Sequence, residues 1–249
     1  MAIDTEDHTV LSNIALAIAR VAGEYGCDGR ALLADAGIDP DAVEEPDSRI
    51  SVAAHQRLWR LAIDRTENPC LAIKVGESLP PGAIHGLGLG WLASDSLKSA
   101  LERLVRFQRL VSTNADIQLG ETRDCYELIG QPKQTPKHFE PASADALLAL
   151  ILRLCRLALS ESMTPREVQL AHNPDTCLGA YEAYFGCTVM PDAPRYALVF
   201  DKGLMEQILP GANPLLARIN DDAVRDYLAR YELADFATQV RRLLIDTLT

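Results

Sequence analysis

Three glycines alternate with leucines in PPGAIHGLGLGWLASDSL, residues Pro80 to Leu97, a stretch that invites comparison with a phosphate-cradling loop. A dinucleotide fingerprint places G-x-G-x-x-G directly after a strand, with its third glycine opening a helix. Here the glycines are Gly86, Gly88 and Gly90, and Trp91 stands where the third glycine of a fingerprint belongs. A helical pattern and two prolines precede them, and no Walker Lys-Ser or Lys-Thr follows. Phosphate chemistry is excluded at this segment. Small residues instead suit a loop or helix packed closely on a neighbour. If the segment walls a pocket, His85 and Trp91 are its ligand candidates.

Other reactive constellations are missing. There is no G-x-S-x-G elbow and no H-E-x-x-H. The five histidines, His8, His55, His85, His138 and His172, are scattered, none at metal spacing. His172, in AHNPDT, reads as a turn or packing residue. The six cysteines form no C-x-x-C pair and are expected to be reduced, small core hydrophobes. Carboxylates gather at termini and helix starts, where solvation and the helix dipole account for them. The residues call for no metal, no cofactor and no catalytic activity.

Arg103, Arg106 and Arg109 recur three apart along one helix. Such a face is ordinarily solvated, but an inward guanidinium can hold a carboxylate in a bidentate pair. Arg106, beside Phe107 at the apolar boundary, is the candidate. The ligand-binding set is therefore His85, Trp91, Arg106 and Phe107.

The elements that would position these groups follow from periodicity. LSNIALAIARVAGEYG and GRALLADAGI read as helices, then a turn-rich connector, then a helix capped by Ser51 over VAAHQRLWRLAIDRT. NPCLAIKVGESL continues as a helix up to Pro80. Asp95 or Ser96 caps LKSALERLVRFQRLV. ADIQLGETRDCYELIG changes period and reads as two strands around a Gly-Glu-Thr-Arg turn. SADALLALILRLCRLAL is apolar nearly all round, so it is a buried helix. REVQLAH, CTVMP and RYALVFDKG are strands, with the short helix TCLGAYEAYFG between them. The tail is two helices, NPLLARINDDAVRDYLARYEL and DFATQVRRLLIDTLT. In the first, Leu215, Ile219, Val224, Tyr227, Leu228 and Tyr231 are read as one stripe, for packing within the chain or for a two-fold dimer. The second carries Phe236, Val240, Leu243, Leu244 and Leu248. The fold class is α+β: helices, a mostly antiparallel sheet of about five strands with interleaved helices, then helices again.

The chain has 249 residues, 48% of them apolar, enough for a sizeable core. Its net charge of −11 repels a phosphate backbone, so direct nucleic-acid binding is not expected of it. No run reaches membrane-spanning length, and the acidic N-terminus lacks a signal-peptide pattern. A cytoplasmic location is expected.

The order of segments resembles the N-terminal ligand-sensing region of AraC-type transcriptional regulators, in the arabinose-binding-like or ornithine-utilisation-regulator-like branch. DPDAVEEPDSRISVAAHQRLWRLAIDRTENPCLAIKVGESLPPGAIHGLGLGWLASDSLKSALERLVRFQRLVS and PREVQLAHNPDTCLGAYEAYFGCTVMPDAPRYALVFDKGLMEQILPGANP carry the likeness. YEAYFGCTV followed by APRYALVFD is the most telling part. The resemblance implies an effector-sensing domain over 1–212, a linker and dimerisation helix over 213–233, and over 234–249 the first helix of a truncated helix-turn-helix unit. It implies a homodimer, a small-molecule effector such as an organic, amino or fatty acid, and DNA contact only through the missing C-terminal unit. Trp91 and Trp59 are aromatic surfaces on which a sugar could stack, although Trp59 lies in a helical pattern that reads as core. A dimerisation module without effector and an enzyme with an unfamiliar site are the competing readings.

Overall fold

The computed structural model describes residues 8–45, 47–133 and 139–248. After Leu233 it describes only the side chain of Phe236. His138 and the expected apolar face of Val240, Leu243, Leu244 and Leu248 lie outside the described residues.

The N-terminal half is helical: α1 (Ser12–Gly23), α2 (Gly29–Asp35), α3 (Val52–Thr66), α4 (Leu71–Ser78), α5 (His85–Leu92) and α6 (Leu97–Val111). Side-chain caps set several starts. Asp28 accepts from the Arg30 and Ala31 amides to begin α2. Ser51 accepts from Ala54 to begin α3, and Ser96 and Ser99 form a reciprocal capping box on α6. Two three-residue strands, β1 (Thr9–Leu11) and β2 (Arg49–Ser51), pair antiparallel across this half. Leu11, expected inside the first helix, belongs to β1.

The sheet is built from β3 (Ala115–Glu121), β4 (Cys125–Pro132), β5 (Glu167–Gln169), β6 (Thr188–Met190) and β7 (Tyr196–Asp201), in the order β3-β4-β7-β5-β6. All neighbours are antiparallel except β5 and β6. Strand β7 is central and buried along five of its six residues, hence its near-continuous apolar run. Helices α7 (Ala142–Ala158), α8 (Leu178–Phe185) and the short α9 (Lys202–Met205) are interleaved with the strands, and α10 (Pro214–Leu248) follows them. One hydrophobic core runs through both halves, from Ile18 and Trp59 to Leu198 and Phe200. Among the described residues no helix is long and apolar enough to cross a membrane.

Three sequence expectations need correction. The tail is one continuous helix rather than two, because neither glycine nor proline interrupts it after Pro214. The cysteines are not all free thiols: Cys70, ahead of α4, is disulfide-bonded to Cys177, ahead of α8, while Cys27, Cys125, Cys155 and Cys187 are free. A separation of 107 residues leaves no spacing signal; the fold alone brings the two Cα atoms to 5.5 Å. Finally, the supposed stripe on α10 is two faces. Leu215 and Ile219 are 57% and 54% exposed, whereas Val224 and Tyr227 are buried and Leu228 and Tyr231 partly so. The five-residue step from Ile219 to Val224 turns the helix by about 140°, from the outer face to the inner one.

Candidate functional site

A cavity of about 140 Å³ opens between the helical half and the sheet. Val10, Ile14, Val52, Trp59, Ile117 and Leu147 give it apolar walls, and Gly130 on β4 leaves a gap in the sheet side. A Cβ added at Gly130 meets no atom within 4 Å, so the missing side chain leaves open space on that wall. Polar side chains on the wall are His55, Gln56, Ser112, Asn114, Gln131, Ser143 and Tyr196. Among the described residues none of the lining side chains is Arg, Lys, Asp or Glu.

Most of the polar rim is engaged by the protein itself. His55 and Trp59 are one turn apart on α3, and the indole N–H donates to His55 Nε2 at 3.1 Å. That bond makes Nε2 an acceptor and places the ring proton on Nδ1. Burial pushes the His55 pKa down to about 4, so the ring is neutral at physiological pH. Gln56 accepts from the Glu140 amide and donates to Ser143 Oγ at 3.3 Å, pinning the start of α7. The Tyr196 hydroxyl lies 3.3 Å from His172 Nδ1, and His172 Nε2 lies 3.3 Å from Asp145 Oδ2. Asp145 also accepts from the Tyr181 hydroxyl at 2.6 Å. Burial, then the neighbouring Asp145 and Glu140, push the Tyr196 hydroxyl up, so it stays protonated.

None of His85, Trp91, Arg106 and Phe107 lies on this wall. His85 begins α5 at φ +52°, stacks on Tyr227 at 5.3 Å, and lines a second cavity with Asp47, Leu89 and Arg230. Trp91 is fully buried. Arg106 is exposed, with its guanidinium 5.8 Å from the buried Phe107 ring. The inward arginine is Arg103, which donates to Asp221 Oδ1 at 3.0 Å and to Ser94 Oγ at 2.7 Å. The glycine segment is helical and packs against α10: a Cβ at Gly86 would lie 2.8 Å from the Asn220 carbonyl oxygen. A Cβ at Gly88 would lie 2.0 Å from that of Pro81.

Sequence reasoning missed His55, Gln56 and Tyr196. A faint signal existed for one pair: His55 lies four residues before Trp59 on the inward face of α3.

Arg49 on β2 connects this region to α10. It donates to Thr9 Oγ1 at 2.7 Å, to the Leu110 carbonyl at 2.7 Å and to the Tyr227 hydroxyl at 3.2 Å. Its guanidinium also lies 4.7 Å from the centre of the Tyr231 ring, and the Tyr231 hydroxyl is 3.0 Å from Thr9 Oγ1. Thr9 and Leu110 are chain neighbours of the wall residues Val10 and Val111. Tyr227 is thus buried within the chain, and Tyr231 partly so.

The family model for the arabinose-binding domain of AraC transcription regulators, N-terminal, matches residues 26–209. The chain belongs to this AraC sensing-domain family. It is similar to the ornithine utilization regulator of Pseudomonas aeruginosa, at 23% identity over 232 residues, which make up 93% of this chain and 68% of that protein. Among solved structures it is similar to the transcriptional regulator CdpR from Pseudomonas aeruginosa, with a TM-score of 0.58 at 16% identity. That likeness, one of fold, covers 88% of this chain and 62% of CdpR, under two thirds of the longer protein. The relatives of this AraC-type domain are regulators by name, and the glycine segment, the buried α7 and strand β7 all fall within the matched span.

Proposed function

We propose that this AraC-type chain senses a small-molecule effector in the cavity between its helical half and its sheet, and passes occupancy to α10. The observation that carries this reading is the apolar cavity inside the family-matched span, tied by Arg49 to the helix that leaves the domain. Residues 1–212 are the sensing unit, 213–233 the linker and dimerisation helix, and 234–249 the start of a helix-turn-helix unit that makes the DNA contacts. The outer face of α10, with exposed Leu215, Leu216 and Ile219, supports homodimer formation there. A ligand that fits one arrangement of the Val10 and Val111 wall better than another shifts the population of Arg49 and α10 arrangements by its difference in affinity. The setting is the cytoplasm, and the role is regulatory rather than catalytic.

The ornithine utilization regulator is tied by its name to an amino acid, but no charged side chain among the described lining residues pairs the charges of one. Thermal denaturation against a panel of metabolites tests the reading, with Gly130→Leu as a filled-cavity control. A binder of the native state raises the melting temperature by mass action. Shifts in the parent chain that vanish in Gly130→Leu are expected; shifts equal in both would place the binding site elsewhere.

A further inference from the structure

The chemistry of the cavity narrows the effector class, given the reading of the cavity as the effector site. We infer that it takes an uncharged, mainly apolar molecule whose buried part is about the size of a benzene ring and which carries a hydrogen-bond acceptor, such as a ketone, ester or amide. Size comes from the volume: an apolar cavity of about 150 Å³ holds a benzene ring, and this one is about 140 Å³.

Charge comes from the wall. An anion entering the cavity meets no lysine or arginine among the described lining residues, and a cation meets no carboxylate. A buried ion without a partner keeps its full desolvation penalty. Asp145 stands behind the wall, between the lining residues Ala144 and Ala146, so an anion is disfavoured further. Arg106, the cation expected to anchor an organic acid, is exposed and absent from this wall.

The acceptor follows from what the rim still offers. Gln56 is bonded to Glu140 and Ser143, Ser143 also to the Glu140 carbonyl, Gln131 to Asp116, Ser112 to the Asn114 amide and Tyr196 to His172. His55 uses Nε2 to accept from Trp59, leaving its ring donor on Nδ1. A ligand carbonyl suits that donor. A polyhydroxylated sugar needs many partners at once, and each hydroxyl buried without one weakens binding.

The test uses three probes of matched shape at neutral pH: benzylacetone (neutral), hydrocinnamate (anionic) and phenylpropylamine (cationic). Their dissociation constants are measured by calorimetry on the purified chain and on Gly130→Leu. The expected result is saturable binding of benzylacetone, at least about a hundredfold tighter than either ion, lost in Gly130→Leu. Hydrocinnamate or phenylpropylamine binding as tightly, and lost in Gly130→Leu, would overturn the ligand class while leaving the cavity as the site. Binding that Gly130→Leu leaves intact would overturn the site and the class with it. Benzylacetone failing to bind at millimolar concentration, in a chain whose metabolite shifts vanish in Gly130→Leu, would also overturn the class alone.

Discussion

Arg103→Met should release α10 from the domain, and the size of the effect follows from burial. The Arg103 and Asp221 side chains are 17% and 11% exposed and meet at 3.0 Å, with Ser94 Oγ as a second acceptor for the guanidinium. Ser94 is held by its own donation to the Gly90 carbonyl at 2.8 Å, so the pair links α5, α6 and α10. Removing the arginine strands the Asp221 carboxylate where water reaches it poorly. Breaking a buried pair from one side costs about 3–5 kcal/mol. For a chain of this size that corresponds to a fall in melting temperature of roughly 6–20 °C. Removing both charges, in Arg103→Met with Asp221→Leu, eliminates the stranded ion and should recover most of the loss. Urea denaturation of the four-member cycle gives the coupling energy, and hydrogen exchange along α10 reports whether the loss is local. An Arg103→Met cost below about 1 kcal/mol, or a double variant no more stable than the sum of its singles, would refute the buried-clasp reasoning.

The neighbouring glycines should respond oppositely. Gly86→Ala drives a methyl to 2.8 Å from a backbone oxygen of α10 and should destabilise by about 1–3 kcal/mol, whereas Gly90→Ala makes an ordinary 3.4 Å contact and should gain up to about 1 kcal/mol of helix propensity. Thermal melts of both variants check this; equal effects would contradict the packing of α5 on α10. Reduction of Cys70–Cys177 opens a loop spanning 107 residues and should lower stability by about 4–5 kcal/mol on the chain-entropy model. Thiol titration of the unfolded, unreduced chain should find the four cysteines left free, and six reactive thiols would sink the pairing. His55 supplies a pH dependence: its folded pKa near 4 lies below the ordinary 6.5, so the unfolded state binds more protons between these values. Stability is retained above pH 6.5 and falls as pH drops toward 4, by about 3 kcal/mol from this group. Urea midpoints should show that slope flattened in His55→Leu; an unchanged slope would place the titration elsewhere.

Local features were legible because short-range chemistry decides them. Ser51 and Ser96 announce helix starts, and the all-round apolarity of α7 announces burial. β1 and β2 were not legible, since three residues carry too little alternation to reveal a strand. Arginines three apart drift by about 60° per step around a helix, so which of Arg103, Arg106 and Arg109 points inward depends on where α10 lies. The cavity was hidden for the same reason at longer range. Val10, His55, Gly130 and Tyr196 come from four separate elements or their flanks, and only the tertiary fold brings them to one wall.

The effector cavity is tested most directly by the fluorescence of Trp59. The sequence holds two tryptophans, so Trp91→Phe leaves Trp59, on the cavity wall, as the sole reporter. Titrating that variant with benzylacetone should give a saturable change in emission that disappears when Gly130→Leu is added. A strictly linear, collisional response, or a saturable one that Gly130→Leu leaves intact, would contradict the assignment of this cavity as the effector site.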